Sequence, residues 1–313
     1  MLFNVLYSAL KEKIHTLSFW TESILLLIFS FSFAPIFIWY AEKTLHENRL
    51  LHSFITLAIA IVLLILNEKI SIQNAFKLNK QSKRSLLIAC TFLSIYFLAN
   101  LFLSPGSDSF TIVSAIKLLM LTSAFAFALA SLAFFIFGVA VTKITYSSTI
   151  TLIIFLLFST FMGLADWPLR TLALKWSVQI FEILGISVNA FLMQNPSTSP
   201  SLVIDYLGVH FNVASECNGF GIILNGLLIG SLLSVYSKDG FMNTLSNIAA
   251  GLFIGFTLNL LRIISIILIA PFMMGIYDFI HELIGTLFYW GAFIFTWKLL
   301  HGSLLKKNLP TSY

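Results

Sequence analysis

The class of protein is indicated first by residues 86–103, which read LLIACTFLSIYFLANLFL. This run contains no charged residue and approaches the length of about 20 apolar residues that a helix needs to cross a bilayer. Residues 147–164 form a second run of the same kind. Over all 313 residues, 58% are hydrophobic and only 10% are charged, whereas soluble domains carry about 25% charged residues. With 32 phenylalanines the chain is also too apolar to be disordered, so we expect a polytopic helical membrane protein.

The apolar runs divide the chain into about eight membrane-spanning helices, each close to the length that a bilayer requires. The expected fold class is therefore an all-α polytopic membrane protein. The chain falls into an N-terminal region of membrane helices, residues 1–164, and a C-terminal region, residues 165–313. The predicted spans are 23–40, 53–66 (or 50–66, with an alternative start at Leu50), 86–103, 116–139, 148–164, 219–236, 246–270 and 279–299.

The positive charges of the chain indicate its orientation. With eight spans, most Lys and Arg residues fall on one side, which the positive-inside rule makes cytoplasmic. We therefore expect a multi-pass protein of the cell membrane with both termini in the cytoplasm. Lys43 and Arg49 fall on the opposite side. The net charge of +5 then reflects orientation in the bilayer and not binding of nucleic acid. The cytoplasmic cations are Lys11, Lys13, Lys69, Lys77, Lys80, Lys83, Arg84, Lys143, Lys238, Lys306 and Lys307.

The long insertion between the fifth and sixth spans, residues 165–216, falls on the extracytoplasmic side. Asp166-Trp167-Pro168 is typical of a helix start, with the aspartate as the N-cap. Apolar residues at helical spacing follow it up to Gly185, which predicts an amphipathic helix at the membrane surface. Residues 209–214 alternate between apolar side chains and polar or small ones, the period of a β-strand. We expect an extracytoplasmic β-hairpin that leads to Cys217.

Three polar residues of the C-terminal region are expected at one level of the membrane: Cys217, Arg262 and His281. Cys217 stands where the predicted strand enters the sixth span. Arg262 follows Ser246 by 16 residues, which places it about 24 Å above the cytoplasmic start of the seventh span. His281 opens the eighth span, which returns from the outside. All three are therefore predicted near the extracytoplasmic boundary.

These three residue types suit acyl transfer from a thiol. A cysteine attacks a peptide carbonyl as the thiolate, and an unperturbed pKa of about 8.5 leaves little thiolate at neutral pH. Arg262 is a permanent cation that can stabilise a thiolate or an oxyanion. His281 can take the proton of the thiol and return it to the leaving amine. Gly219 and Gly221 allow backbone N–H groups to approach as oxyanion donors.

Three motifs carry a resemblance to a known family. They are Glu216-Cys217-Asn218-Gly219-Phe220, Asn259-Leu260-Leu261-Arg262-Ile263, and His281 at the head of the last span. In this order they resemble the motifs of the exosortase/archaeosortase family of membrane cysteine proteases and transpeptidases, over about residues 169–300. The resemblance implies an exosortase-like catalytic membrane region in residues 165–313. It implies Cys217 as the nucleophile, Arg262 as the stabiliser of the oxyanion or thiolate, and His281 as the acid/base.

The resemblance also implies a substrate. Members of this family recognise a C-terminal signal made of a short motif, a hydrophobic helix and a basic tail on a secreted protein. They cleave it at the outer face of the membrane and transfer the protein to a lipid or another cell-surface acceptor. The chain departs from many members in having Asn218 where they have Ser. Because an amide still donates a hydrogen bond, we expect activity to be retained.

The three central residues have polar neighbours that are expected to support them. One amide lies nearly a helical turn before the arginine, on the same helix face. A carboxylate on either side of the imidazole could orient it, and the acidic residue beside the thiol could bind a cationic group of the substrate or face water. The supporting residues are Glu216, Asn218, Gly219, Asn259, Asp278 and Glu282.

Other residues of the same types have simpler explanations. Cys90 lies in an apolar helix and is expected to be a packing residue. His210 is a rival base, but its place on the predicted strand favours a wet surface position. Lys117 could reach toward the headgroups or mark a polar cavity. The histidines and acidic residues lack the spacing of a metal site and no phosphate-binding loop is present in the sequence, so we expect neither a metal nor another cofactor.

Two other functions stay open at this point. One is a transporter or channel in which Arg262 and His281 line a pathway for an anion or protons. Inverted-repeat symmetry would favour a transporter, and the sequence shows none. The other is a non-catalytic scaffold that binds helical tails. Replacement of Cys217 would stop an enzyme and would leave both of these functions largely intact.

Overall fold

A computed structural model of the chain describes residues 2–46, 48–68, 75–102, 112–194, 200–213 and 219–301. This part of the chain is mostly helical, with three short strands before the last three helices. The helices are α1 (Leu2–Lys13), α2 (Leu17–Phe31), α3 (Ala34–His46), α4 (Asn48–Asn67), α5 (Lys80–Phe102), α6 (Ile112–Phe137), α7 (Thr142–Ile183), α8 (Phe220–Ser237), α9 (Phe241–Ile269) and α10 (Tyr277–His301). The strands are β1 (Asn189–Met193), β2 (Ser201–Tyr206) and β3 (Val209–Asn212).

Several of these helices are long and apolar enough to cross a bilayer. The described residues contain six candidate spans, or seven if the bent pair Leu6–Lys13 and Leu17–Phe31, which meet at 110°, forms one span. The polytopic helical fold with a small extramembrane sheet is thus confirmed, while the count differs from the predicted number of about eight. The six spans are Leu50–Asn67, Lys80–Phe102, Val113–Thr160, Phe220–Ser237, Phe241–Phe272 and Met274–His301.

Part of the difference in count comes from the candidate span Val113–Thr160, whose 48 residues are far more than one crossing needs. Within it, α6 and α7 are joined by a 3-10 turn, Gly138–Val141. The ring centroids of Phe134 and Tyr146 lie 5.4 Å apart, although residues twelve apart in a straight helix are separated by about 18 Å. The chain therefore reverses at this turn, and the stretch contains the predicted span 116–139 and most of the predicted span 148–164.

The first predicted span, 23–40, is wrong as a single helix. Helix α2 ends at Phe31 and α3 begins at Ala34, so a break falls inside the predicted span. Pro35 lies in the first turn of α3. A proline is tolerated there because its missing N–H is not needed, whereas it would have removed a hydrogen bond from a continuous α2. The apolar composition of the run concealed this break.

Helix α7 is unbroken over 42 residues, so the fifth predicted span and the predicted surface helix are one helix. The expected helix start at Asp166 is wrong, because Pro168 lies inside the helix. An ion pair between Arg170 and Asp166, at 2.6 Å, stabilises the turn that contains the proline. The predicted end is correct: Gly185 follows the last turn with a φ of +72°, a conformation that favours glycine.

Residues between α7 and α8 form a three-stranded antiparallel sheet with the order β1-β2-β3, where the sequence predicts a hairpin. The register pairs Ile204 of β2 with Phe211 of β3. The predicted alternation on β3 is confirmed, since Phe211 is buried and His210 is exposed. The buried face of the sheet packs on α7 and α9 in one apolar cluster. This packing places the sheet next to the end of α9.

Helix α8 is the centre of the bundle. Most of its residues are buried, and it packs against α4, α7, α9 and α10. The closest approach is at Gly226 of α8 and Gly251 of α9, where a side chain on either residue would overlap the backbone of the other helix. Because nothing separates the two backbones, the start of α8 and the end of α9 are held in a fixed relation.

Cys90 does not pack in the bundle. It is exposed on α5, a helix whose buried residues are Ser82, Ser85 and Ala89. The expectation that Cys90 is a packing residue is therefore wrong. An apolar helix in a membrane has a lipid-facing side as well as a packed one, and hydropathy does not distinguish them.

Candidate active site

Residues near one end of each of four helices line a single cavity. Helices α4, α8 and α10 contribute their N-terminal turns, and α9 contributes a turn near its C-terminal end. They enclose a cavity of about 330 Å³. The longest described wall is that of α10, formed by His281, Glu282, Gly285, Thr286, Tyr289 and Trp290.

Gly219 caps the start of α8 and lines the cavity. Its φ of +76° lies in the left-handed region, which favours glycine. The side chain of Asn259, from α9, lies directly against it, so that a methyl group added to Gly219 would overlap the amide. Asn259 is fully buried. The contact between Gly219 and Asn259 therefore fixes how the start of α8 sits on α9.

Arg262 is a nearly buried cation on α9, with 9% of its surface exposed. Its guanidinium lies against α10 at Gly285, where a Cβ atom would be 3.3 Å from Nη2 and 3.4 Å from Nε. The missing side chain of Gly285 thus provides the space that the guanidinium occupies. Burial reduces the screening of its charge by water, so its effect on a neighbouring anion is stronger than that of a surface arginine.

His281 lies in the second turn of α10 and is half-buried. Its ring centroid is 5.9 Å from that of Tyr277, and Tyr277 is in turn 6.4 Å from Phe211 of β3. Two aromatic contacts therefore connect the sheet to the imidazole. Of the carboxylates expected to orient it, Glu282 lines the cavity, whereas Asp278 is exposed and is not among the described residues of its wall.

Three predicted residues that are far apart in the sequence line this one cavity: Gly219, Arg262 and His281. They come from three helices, and the topology drawn from hydropathy places them at the same level. The remaining part of the first motif lies outside the described residues, namely Glu216, Cys217 and Asn218.

The rival residues lie elsewhere. His210 is on β3 with 56% of its side chain exposed, and its Nδ1 is 3.8 Å from the carboxylate of Asp205. Lys117 is half-buried on α6. Neither residue is among those of the described part of the chain that line the cavity.

The wall that α4 contributes, which consists of His52 and Ile55, was not predicted from the sequence. This wall is joined to α10 by a hydrogen bond of 2.8 Å between the hydroxyl oxygens of Thr56 and Tyr289. The ring centroid of His52 is 5.8 Å from that of Tyr289. The only available signal was a histidine at the edge of an apolar run, and the predicted span 53–66 began one residue after it.

Two features of the cavity favour a negative charge. Gly219, the N-cap of α8, lines the cavity, and a helix N-terminus carries about half a positive elementary charge. The guanidinium of Arg262 adds a full charge, and Glu282 is the one carboxylate among the described lining residues. Such surroundings stabilise a thiolate or the oxyanion of a tetrahedral intermediate.

Comparison with known proteins agrees with this chemistry. A family model described as transmembrane exosortase (EpsH) matches residues 39–298. Neither a curated protein nor a solved structure matches the chain. The match begins before α4, so it covers every described wall of the cavity and extends well beyond the region of about residues 169–300 that the motifs indicate. The match confirms the resemblance carried by the three motifs: this multi-pass membrane protein belongs to the exosortase family of membrane cysteine transpeptidases.

Proposed function

We propose that this protein cleaves the C-terminal sorting signal of secreted proteins at the extracytoplasmic face of the membrane and transfers them to a lipid or another cell-surface acceptor. Cys217 is the nucleophile, Arg262 stabilises the thiolate and the oxyanion, and His281 is the acid/base. The observation that carries this proposal is the shared cavity of Gly219, Arg262 and His281.

Covalent geometry supports the role of Cys217. It precedes Gly219 by two residues, and Cα atoms of residues two apart are separated by at most about 7 Å. Since Gly219 lines the cavity, a thiol at position 217 is within reach of it. The other cysteine, Cys90, is exposed on α5 and is not among the described lining residues.

The first half of the reaction makes a thioester. His281 accepts the proton of the thiol, and the sulfur attacks the carbonyl carbon of the scissile peptide bond. The negative charge that develops on the carbonyl oxygen is stabilised by Arg262 and by N–H groups in the first turn of α8, which have no acceptor within the helix. The C–N bond then breaks, and the amine leaves with a proton.

The second half resolves the thioester. An amine on the acceptor attacks the thioester carbonyl and gives up a proton, the C–S bond breaks, and the thiolate is restored. The same oxyanion stabilisers serve both halves, because both pass through a tetrahedral intermediate at the same carbon. Water can replace the amine, in which case the product is a free carboxylate.

The shape of the cavity supports a substrate with a polar segment followed by an apolar helix. Its polar residues, Arg262 and His281, lie toward one end of their helices, whereas Trp290 lies nine residues farther along α10, a distance of about 13 Å. Ile55 and Ile222 add apolar surface. A basic tail on the substrate would extend toward the side rich in Lys and Arg, which the positive-inside rule makes cytoplasmic.

The proposal is tested in cells that make the full-length protein and a tagged secreted substrate ending in a short motif, an apolar helix and a basic tail. We expect Cys217→Ala to abolish the change in substrate mobility, because no thioester can form. Cys90→Ala is the matched control and should process the substrate normally. Normal processing by Cys217→Ala would refute the proposal and would favour a transporter or a scaffold.

A further inference from the structure

His52 is a second imidazole in the cavity, and none of the three motifs includes it. It lies on α4, whereas Arg262 and His281 lie on α9 and α10. It is also the most open of the three, since Arg262 is buried, His281 is half-buried and His52 is exposed. Of the three side chains, the imidazole of His52 is therefore the most accessible from outside the bundle.

The part of α4 that carries His52 is held against α10 by a contact one helical turn later in the sequence. Thr56 follows His52 by four residues, on the same face of α4. The hydroxyl of Thr56 is 2.8 Å from that of Tyr289, a residue of α10 that is 9% exposed and also lines the cavity. Together with the packing of α4 on α8, this bond holds the turn of α4 that carries His52 next to α10.

The face of α4 that carries His52 continues toward the C-terminal end of the helix as an apolar surface. Ile55, Ile59 and Val62 follow at helical spacing and are 40%, 36% and 52% exposed. Apolar side chains that continue a cavity wall along a membrane helix suit an apolar helix of the substrate. In the proposed function that helix belongs to the leaving group, so His52 lies on the leaving-group side of the scissile bond.

On the opposite side, His281 is close to Arg262. His281 and Gly285 are four residues apart on one face of α10, and the guanidinium lies against Gly285. A cation next to an imidazole is well placed to hold a thiolate after the imidazole has taken its proton. The two imidazoles are thus held by different helices and have different neighbours.

We propose that His52 is a second catalytic acid/base that serves the leaving amine and the acceptor amine, while His281 serves the thiol. This inference rests on the proposed function. In the first half, the C–N bond breaks as protonated His52 gives its proton to the leaving nitrogen. In the second half, the acceptor nitrogen bonds to the thioester carbon and gives a proton back to His52, and the C–S bond breaks to release the thiolate. The proton count of His52 is restored after each cycle.

p-Nitrophenyl acetate separates the two imidazoles without knowledge of the natural substrate. Its leaving group departs as an anion and needs no proton, so the initial burst of p-nitrophenol reports attack by Cys217 alone. The steady rate that follows reports hydrolysis of the acetyl thioester, in which water must lose a proton. The experiment uses the full-length Cys90→Ala protein in lipid nanodiscs, so that Cys217 is the one thiol.

We expect His52→Gln to leave the burst rate unchanged and to lower the steady rate at least about tenfold, since general base catalysis typically contributes about 100-fold or more. Hydroxylamine attacks thioesters without a base and should restore turnover. His52→Phe retains an aromatic ring against Tyr289 and should behave like His52→Gln. His281→Gln should instead slow the burst. His15→Gln, exposed between α1 and α2, is the matched control and should change neither rate.

Two results would overturn this inference: a steady rate for His52→Gln within twofold of the parent, or a normal steady rate for His52→Phe, which would show that only the ring contact matters. Failure of the proposed function has a different signature. In that case the parent protein gives no burst, or the burst persists in Cys217→Ala.

Discussion

Two walls of the cavity are built in different ways. The wall of α8, α9 and α10 is held by close approaches at glycines: the backbones of α8 and α9 meet at Gly226 and Gly251, and Gly285 leaves room for the guanidinium of Arg262. The wall of α4 is joined to α10 by contacts of side chains, chiefly the hydrogen bond between Thr56 and Tyr289. The wall of α8, α9 and α10 suits catalytic groups whose positions must be exact to within tenths of an ångström. In the proposed function, the wall of α4 suits the side along which a peptide enters and leaves the cavity.

The largest expected effect concerns the wall of α8, α9 and α10. We expect Arg262→Lys to lower the rate of substrate processing by about 100-fold or more, because an ammonium retains the charge but not the planar set of donors. The measurement is the rate of mobility change of the tagged substrate. Arg170→Lys, which alters the ion pair with Asp166 on α7, is the control and should process normally. Equal rates for Arg262→Lys and the parent would show that charge alone is used.

The second prediction tests the close contact between the guanidinium of Arg262 and Gly285. Gly285→Ala places a methyl group against the guanidinium, which must then shift by a few tenths of an ångström. We expect the acetylation burst to slow about tenfold. Alanine is a better helix former than glycine by about 1 kcal/mol, but the tight contact with the guanidinium offsets this gain, so the free energy of unfolding should rise by less than about 1 kcal/mol.

Gly291→Ala on the same helix is the matched control, because a Cβ atom there meets nothing within 4 Å. It should gain the full increase in the free energy of unfolding, about 1 kcal/mol, with no loss of activity. If Gly285→Ala keeps the full burst rate, the tight fit of Arg262 is not needed for catalysis.

A smaller effect is expected on the α4 wall. Thr56→Val keeps the shape of the side chain and removes the hydrogen bond to Tyr289, which should lower the free energy of unfolding by about 1 kcal/mol. We expect the steady rate with p-nitrophenyl acetate to fall about threefold, while the burst is unchanged. Thr91→Val on α5, whose hydroxyl donates only within its own helix, is the control. A slower burst would show that the two walls are not independent.

The smallest effect separates His281 from its rival as the acid/base, His210 on the sheet. We expect His210→Gln to change both rates by less than about twofold, because the exposed imidazole pairs with Asp205 on the sheet and is not part of the described cavity wall. A loss comparable to that of His281→Gln would move the acid/base role to the sheet.

The convergence of the site could be predicted from the sequence because a bilayer limits each span to about 20 residues. Counting residues from one membrane face gives the depth of Arg262 and His281, and the structure places both on one cavity. The strand around Phe211 and the helix end at Gly185 could be predicted too, since both depend on local patterns.

The features that were mispredicted depend on contacts that no local pattern contains. Asp166 and Pro168 form a typical helix start in isolation, but the ion pair with Arg170 and the packing of α7 on the sheet keep the helix continuous. His52 stood one residue outside the predicted span 53–66, and hydropathy does not indicate which side of a helix borders a cavity. Tertiary context decided both cases.

The unbroken course of α7 has a consequence for where substrates are cut. Its 42 residues measure about 63 Å, roughly twice the thickness of the hydrocarbon layer. One continuous helix therefore joins the membrane bundle to the sheet, and the sheet contacts Tyr277 beside His281. In the proposed function, we therefore expect this helix and the sheet to set the height of the scissile bond, and we expect that height not to change with the thickness of the surrounding lipids.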